Sequence, residues 1–180
     1  IVRRIDNATR SIDVQQISIG RPGQPLVRAV LRAARRGVRV RLLLGGAWYV
    51  REENRETADT IERIATREGL PVSVRLATPT GRFGKLHSKG IVIDGETAIV
   101  GSINWNNNSL RRNREVALVL EGAPAAAYYR EVFVGDWRGG QWLIPVGVIV
   151  AAVVTIAAAG GWARRSFVFG PSPASTPAGH

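Results

Sequence analysis

Between residues 85 and 102 two strand-like runs, "KLHSKGIVID" and "TAIVGS", meet at Asp94-Gly95. An Asp-Gly pair in that position is among the strongest local signs of a β-hairpin, because both residues accept the positive φ of a tight turn. Any fold for this chain must therefore contain an antiparallel strand pair. The rhythm upstream is different. "SIDVQQISI" (11–19) alternates apolar and polar residues as a half-buried strand does. After a Gly/Pro loop, "LVRAVLRAARRG" (26–37) sets Leu26, Val27, Val30, Leu31 and Ala34 on one helical face and ends at Gly37. A strand at 38–44, an amphipathic helix at 52–68, a strand at 72–77 and a loop at 78–84 follow. Beyond the hairpin come a strand at 115–121 and a helix at 124–137. Strands that alternate with helices and then close in a hairpin predict an α/β sandwich, a mixed sheet flanked by helices.

The chain carries 25 basic and 14 acidic residues, a net charge of +11. Of the basic residues 23 are Arg; the two Lys are Lys85 and Lys89. Before residue 140 the balance is 23 − 14 = +9, which suits an anionic partner, either nucleic acid or an acidic membrane surface. There is no Cys, which excludes disulfides and thiolate metal sites. The chain has no Met and starts at Ile1, so it is expected to be a processed product or a piece of something longer.

From Trp142 to Trp162 there are 21 residues without a charge. As a helix they would span about 31 Å, the thickness of a bilayer core. Trp at both ends and Arg164-Arg165 beyond fit a membrane span. The sequence thus predicts three parts: a folded domain over 1–140, one transmembrane helix over 141–163, and a Pro/Ser/Ala-rich disordered tail over 164–180. The paired arginines predict a cytoplasmic tail and an extracytoplasmic domain.

The hairpin also carries chemistry. His87 and Lys89, two apart on a strand, would share a face at about 6.6 Å. Ser102 and Asn104 would share one on the returning strand. An imidazole, a fixed cation and two neutral hydrogen-bonding groups suit a phosphoryl electrophile: the imidazole attacks, the others hold the oxygens. The cluster has too few ligands for a metal, so no metal and no cofactor are expected. Taken singly, each residue has a plainer explanation: Lys89 as a solvated charge, Asp94 as a turn residue, Glu115 as a strand-edge charge. Their joint spacing is what argues otherwise.

That spacing resembles the phospholipase D superfamily, whose signature runs His-x-Lys, four residues, Asp, six residues, Gly-Ser-x-Asn. His87, Lys89, Asp94, Gly101, Ser102 and Asn104 match it without a gap, and Glu115 stands eleven residues past Asn104, where the family places a Glu. The resemblance spans residues 1 to about 138. It implies a catalytic set of His87, Lys89, Asp94 and Glu115. His87 would form a phosphohistidine, and Lys89, Ser102 and Asn104 would bind phosphate oxygens. Glu115 would hydrogen-bond the second imidazole nitrogen, and Asp94 would shape the hairpin. It further implies a second His to protonate the leaving oxygen. The only other one is His180, in the tail. A second motif would come from a two-fold dimer or from a missing N-terminal repeat. Gly147/Ala151 and Ala157/Gly161, each four apart, would let membrane helices pair.

Three functions fit. The first is a membrane-anchored phosphodiesterase or phosphatidyltransferase acting on phospholipid. The second is a metal-independent nuclease. The third is an inactive binding half of a two-motif enzyme. "RRNR" (111–114) would serve either anionic substrate. Of aromatic residues, Phe83 and Trp105 lie near the motif in sequence. The anchor ranks lipid first.

Overall fold

The computed structural model describes residues 1–78 and 84–139. Eleven elements follow in order: α1 (Val2–Asp6), β1 (Ser11–Gln16), α2 (Pro25–Arg35), β2 (Arg39–Gly45), α3 (Arg51–Glu68), β3 (Val72–Ala77), β4 (Gly90–Ile93), β5 (Thr97–Gly101), α4 (Asn107–Arg111), β6 (Ala117–Glu121) and α5 (Ala123–Trp137). The six strands form one sheet in the order β3-β2-β1-β4-β5-β6. β1, β2 and β3 are parallel; β4, β5 and β6 join antiparallel. The mixed α/β sheet expected from the sequence is therefore present.

The core lies on one side of the sheet. Ile12, Val14, Val40, Leu42, Leu44, Ile91, Ile93 and Ile99 bury against the apolar faces of α1, α2 and α3. The polar alternates of β1 do not face water. They lie under α5, where Asp13, 2% exposed, accepts from Nε and Nη2 of Arg41, each at 2.7 Å. Arg41 in turn lies over the rings of Phe133 and Trp137. β1 and β2 are in register at Asp13 and Arg41, so the pairing of the strands makes this ion pair.

β1, β4, β5 and β6 are shorter than the sequence predicts, while β2 and β3 keep their expected lengths. β1 ends at Gln16; beyond it Ile19 makes an isolated bridge with Trp105 and donates its N–H to Asn54 Oδ1 at 2.9 Å. β4 pairs with β1 no further than Gln15 opposite Gly90. Residues 85–89 lie outside the strands, though the Lys89 carbonyl still accepts from the Gly101 N–H at 3.3 Å. His87 and Lys89 therefore do not stand on a strand, as the alternation argument required. Glu115 likewise precedes β6 and Ser102 follows β5.

Among the described residues no helix is long and apolar enough to cross a membrane. The expected span over 141–163 and the tail over 164–180, with Gly147, Ala151, Ala157, Gly161, Arg164, Arg165 and His180, lie outside the described residues, as does Phe83.

Candidate active site

The topology brings four chain segments to one end of the sheet: the exit of β1, the approach to β4, the exit of β5 and the approach to β6. His87, Lys89, Ser102, Asn104 and Glu115 all lie there. Asp94 does not. It follows the far end of β4, a strand that spans about 13 Å. With Asp94 at φ 56° and Gly95 at φ 70°, the turn is the tight hairpin that Asp-Gly predicts. The Asp94 carboxylate accepts from the N–H groups of Thr9, Arg10 and Ser11 at 2.9, 2.7 and 2.9 Å and from the Thr9 hydroxyl at 3.1 Å. Burial alone would raise its pKa, but these donors outweigh burial and hold it below the usual Asp value. Asp94 is a structural staple between the hairpin and the entrance to β1.

At the site end, the Lys89 ammonium donates to the His87 carbonyl at 2.9 Å. The same ammonium lies 3.4 Å from His87 Nδ1. The two side chains meet on the approach to β4 and not on a strand. The cation beside it, partial burial and Lys85 all lower the His87 pKa, so the exposed imidazole is neutral at neutral pH and keeps a nucleophilic lone pair. Burial also lowers the pKa of Lys89, against a smaller opposing pull from Glu115.

Glu115 is held by a different set of partners from those the sequence suggests. Its carboxylate accepts from the Ser102 hydroxyl, from the Ser109 hydroxyl at 2.5 Å and from Asn113 Nδ2 at 3.1 Å. These hydrogen bonds lower its pKa; burial opposes them and Lys89 adds to them. Among the described residues no hydrogen bond joins Glu115 to His87. Ser102 is committed as well, since its oxygen accepts from the Val116 N–H at 3.1 Å. Asn104 is the group left open: its Oδ1 is buried and has no hydrogen-bond partner among the described residues, while its N–H donates to Ser109 Oγ at 3.1 Å.

Gly101 makes the closeness of Ser102 and Glu115 possible. A Cβ there would lie 2.1 Å from the Val116 carbonyl oxygen, so only Gly lets β5 and the approach to β6 come together. Ser109 and Asn113 were not singled out in the sequence. The available signal was Asn106, an N-cap residue three before Ser109, whose Oδ1 accepts from the Ser109 N–H at 3.0 Å and starts α4. Trp105 is 1% exposed and packs in the core, so it offers no stacking surface. Trp48 and Tyr49, passed over in the sequence, are exposed instead, 89% and 46%, on the loop after β2 at this same end. Their rings meet edge to face at 5.6 Å, and Lys85 Nζ lies 5.8 Å from the Tyr49 ring centroid. Among the described residues no cluster of three or more His, Cys, Asp or Glu could hold a metal ion.

A mixed six-stranded sheet that gathers a His-x-Lys and a Gly-Ser-x-Asn segment at one end defines a phospholipase D-like domain. Residues 1–137 match the family described as "Cardiolipin synthase, PLD-like domain", and the chain belongs to that family. It is 32% identical over 111 residues to cardiolipin synthase A of Cronobacter sakazakii, covering 62% of this chain and 21% of that protein. It is 29% identical over 131 residues to the mitochondrial cardiolipin hydrolase of Xenopus tropicalis, covering 73% of this chain and 56% of that one. The chain thus spans about a fifth of the first relative and about half of the second. In fold it is similar to Nuc from Salmonella typhimurium, a phospholipase D family member, with a TM-score of 0.61, 24% identity, and 78% of this chain and 86% of that chain covered.

Proposed function

We propose that this domain is a phosphodiesterase of the phospholipase D type, acting on phospholipid at a membrane surface. The observation that carries the chemistry is a neutral imidazole, His87, held beside the ammonium of Lys89. In the reaction a ring nitrogen of His87 attacks phosphorus, and the bond from phosphorus to the leaving alcohol breaks. The leaving oxygen takes a proton, and a phosphohistidine remains. Water, or a second alcohol in a transfer reaction, then attacks phosphorus and frees the His87 nitrogen. Lys89 and Asn104 hold the phosphate oxygens, with Ser102 joining once its hydroxyl turns from Glu115. No metal or cofactor enters these steps.

The described residues supply one imidazole to this end, and that imidazole is bonded to phosphorus when the leaving group needs its proton. A second motif, from a facing copy or from another repeat, supplies the acid. The lipid reading draws on Trp48 and Tyr49. Exposed amphipathic rings next to a lysine suit the level of lipid headgroups, and they stand at the end of the sheet where His87 is. A nuclease of the same family is the second reading, favoured by the same exposed Trp48, whose face could stack a base.

The test is a trapping experiment. The full chain is quenched during turnover of a phosphorus-labelled phospholipid and of a labelled oligonucleotide. Acid-labile label on His87 from the lipid, absent in His87→Ala, supports the proposal. Label from the oligonucleotide alone supports the nuclease. Turnover without any labelled His87 removes the mechanism.

A further inference from the structure

Beside the reacting cluster lies a cavity of about 500 Å³ that contains none of its residues. Arg21, Arg28 and Arg111 line it, together with Asn106, Asn107 and Asn108 and a single carboxylate, Glu53. The formal charge of the lining is 3 − 1 = +2. Among the described residues none of the three arginines is in an ion pair. α2, eleven residues long, begins at this wall with Gln24 and Pro25, so the positive end of its dipole adds to the field. Among the lining residues Pro25 is the one apolar side chain, beside the charged and amide ones.

The cavity is tied to the catalytic cluster by covalent and hydrogen-bonded links. Its wall is formed where two loops press together: Gly20 donates its N–H to the Trp105 carbonyl at 2.5 Å, and Gln24 Nε2 donates to the same oxygen at 3.0 Å. A Cβ on Gly20 would lie 3.2 Å from the Asn106 Cα, tighter than most such contacts. Asn106, two residues past Asn104, caps Ser109, and Ser109 donates to Glu115. A ligand in the cavity therefore lies on the flank of the phosphate that reacts.

The geometry points to a second anion subsite. We infer that this cavity binds a non-reacting phosphate of the substrate together with the polyol that carries it, a glycerol phosphate or a pentose phosphate. Guanidinium groups fit the phosphate as bidentate forks, and the asparagines offer donors and acceptors to hydroxyls. The inference rests on the phosphodiesterase reading for its role, but the binding itself does not.

The experiment is a calorimetric titration of the full chain with glycerol 3-phosphate, with ribose 5-phosphate and with inorganic phosphate. Three proteins are compared with the unaltered chain: Arg21→Gln/Arg111→Gln, Asn107→Asp and His87→Ala/Lys89→Ala. All the cavity positions altered are exposed, and Asn107→Asp repels an anion without removing any cation. The expected result is saturable binding of a polyol phosphate. It should weaken tenfold or more in both cavity variants and stay within twofold in His87→Ala/Lys89→Ala. Tighter binding of glycerol 3-phosphate assigns the subsite to a lipid headgroup, and tighter binding of ribose 5-phosphate to a nucleic-acid backbone. Absent binding, unchanged binding in both cavity variants, or equal loss in His87→Ala/Lys89→Ala overturns the subsite. Binding without any His87-dependent diester turnover would leave the subsite standing and remove the functional reading; turnover without cavity binding would do the reverse.

Discussion

His87 is one of two histidines in the chain, which makes its titration directly observable. Positive neighbours disfavour the imidazolium, so its ring resonances should titrate below the ordinary value of 6.5. A nucleophile must be neutral, so the acid limb of activity should lie at that lowered pKa. Lys85→Ala removes one of the cations that depress it, and both the resonance and the acid limb should move to higher pH. A shift in the other direction, or none, would show that Lys85 is not among the charges that hold the ring neutral, leaving Lys89 and burial. Glu115→Gln keeps the shape but removes the charge that gathers Ser102, Ser109 and Asn113. Turnover should fall by roughly 10²-fold, the lower end of what positioned proton-transfer groups supply, with the fold retained by circular dichroism. Asp94 makes a prediction about stability alone. Its folded pKa is depressed, so its contribution is full above the unfolded Asp value and is lost as pH falls through the folded one. Asp94→Asn should lower the urea midpoint at pH 7, and the gap from wild type should close as pH falls through the lowered Asp94 pKa. A gap that persists there would mean that shape, not charge, makes the staple.

At the scale of elements, β5 and β6 depend on one missing Cβ. Gly101→Ala would drive a methyl into the Val116 carbonyl, so the two strands must part or the ladder must shift. A loss of about 1–3 kcal/mol, typical of overpacking, should appear in thermal unfolding. Activity should fall further than stability, because Ser102 and Glu115 are the pair that separates. If the variant is as stable and active as wild type, the close approach is not real. The comparison of sequence with structure turns on the same region. The strands, the long helices and the Asp94-Gly95 turn were legible because hydrophobic period and turn chemistry are local. Strand ends were not, since β4 stops where β1 leaves the sheet, and no residue of β4 encodes that. The nearness of His87 and Lys89 does not come from alternation on a strand, because both precede β4. α4 escaped because five residues carry little periodicity. The partners of Glu115 escaped with it, since two of its three donors lie on α4 or just beyond. Trp48 was missed because exposure cannot be read from an aromatic letter.

On the proposed chemistry, the domain as a whole is one half of what the reaction requires. It carries one His-x-Lys segment, and the expected facing copy would add the imidazole that protonates the leaving oxygen. This is open to a dilution experiment that does not depend on knowing the substrate in detail. Wild-type full chain is mixed with increasing amounts of His87→Ala chain, and subunits are allowed to exchange to equilibrium. If each site needs a His from both copies of a two-fold dimer, only wild-type pairs are active. At equal amounts and constant total protein, activity should then fall to about a quarter of the undiluted value, following the square of the wild-type fraction, as random pairing in a symmetric dimer requires. Independent sites would give a linear fall, to about half. A linear fall in a chain that is monomeric by native mass would refute the shared site. It would also leave one imidazole to serve as both nucleophile and acid, which its bond to phosphorus forbids, so the proton would have to come from a group other than His. A monomer with no turnover at all points instead to a second motif on another repeat. Adding back such a repeat, and not raising the concentration of this chain, would then be what restores activity.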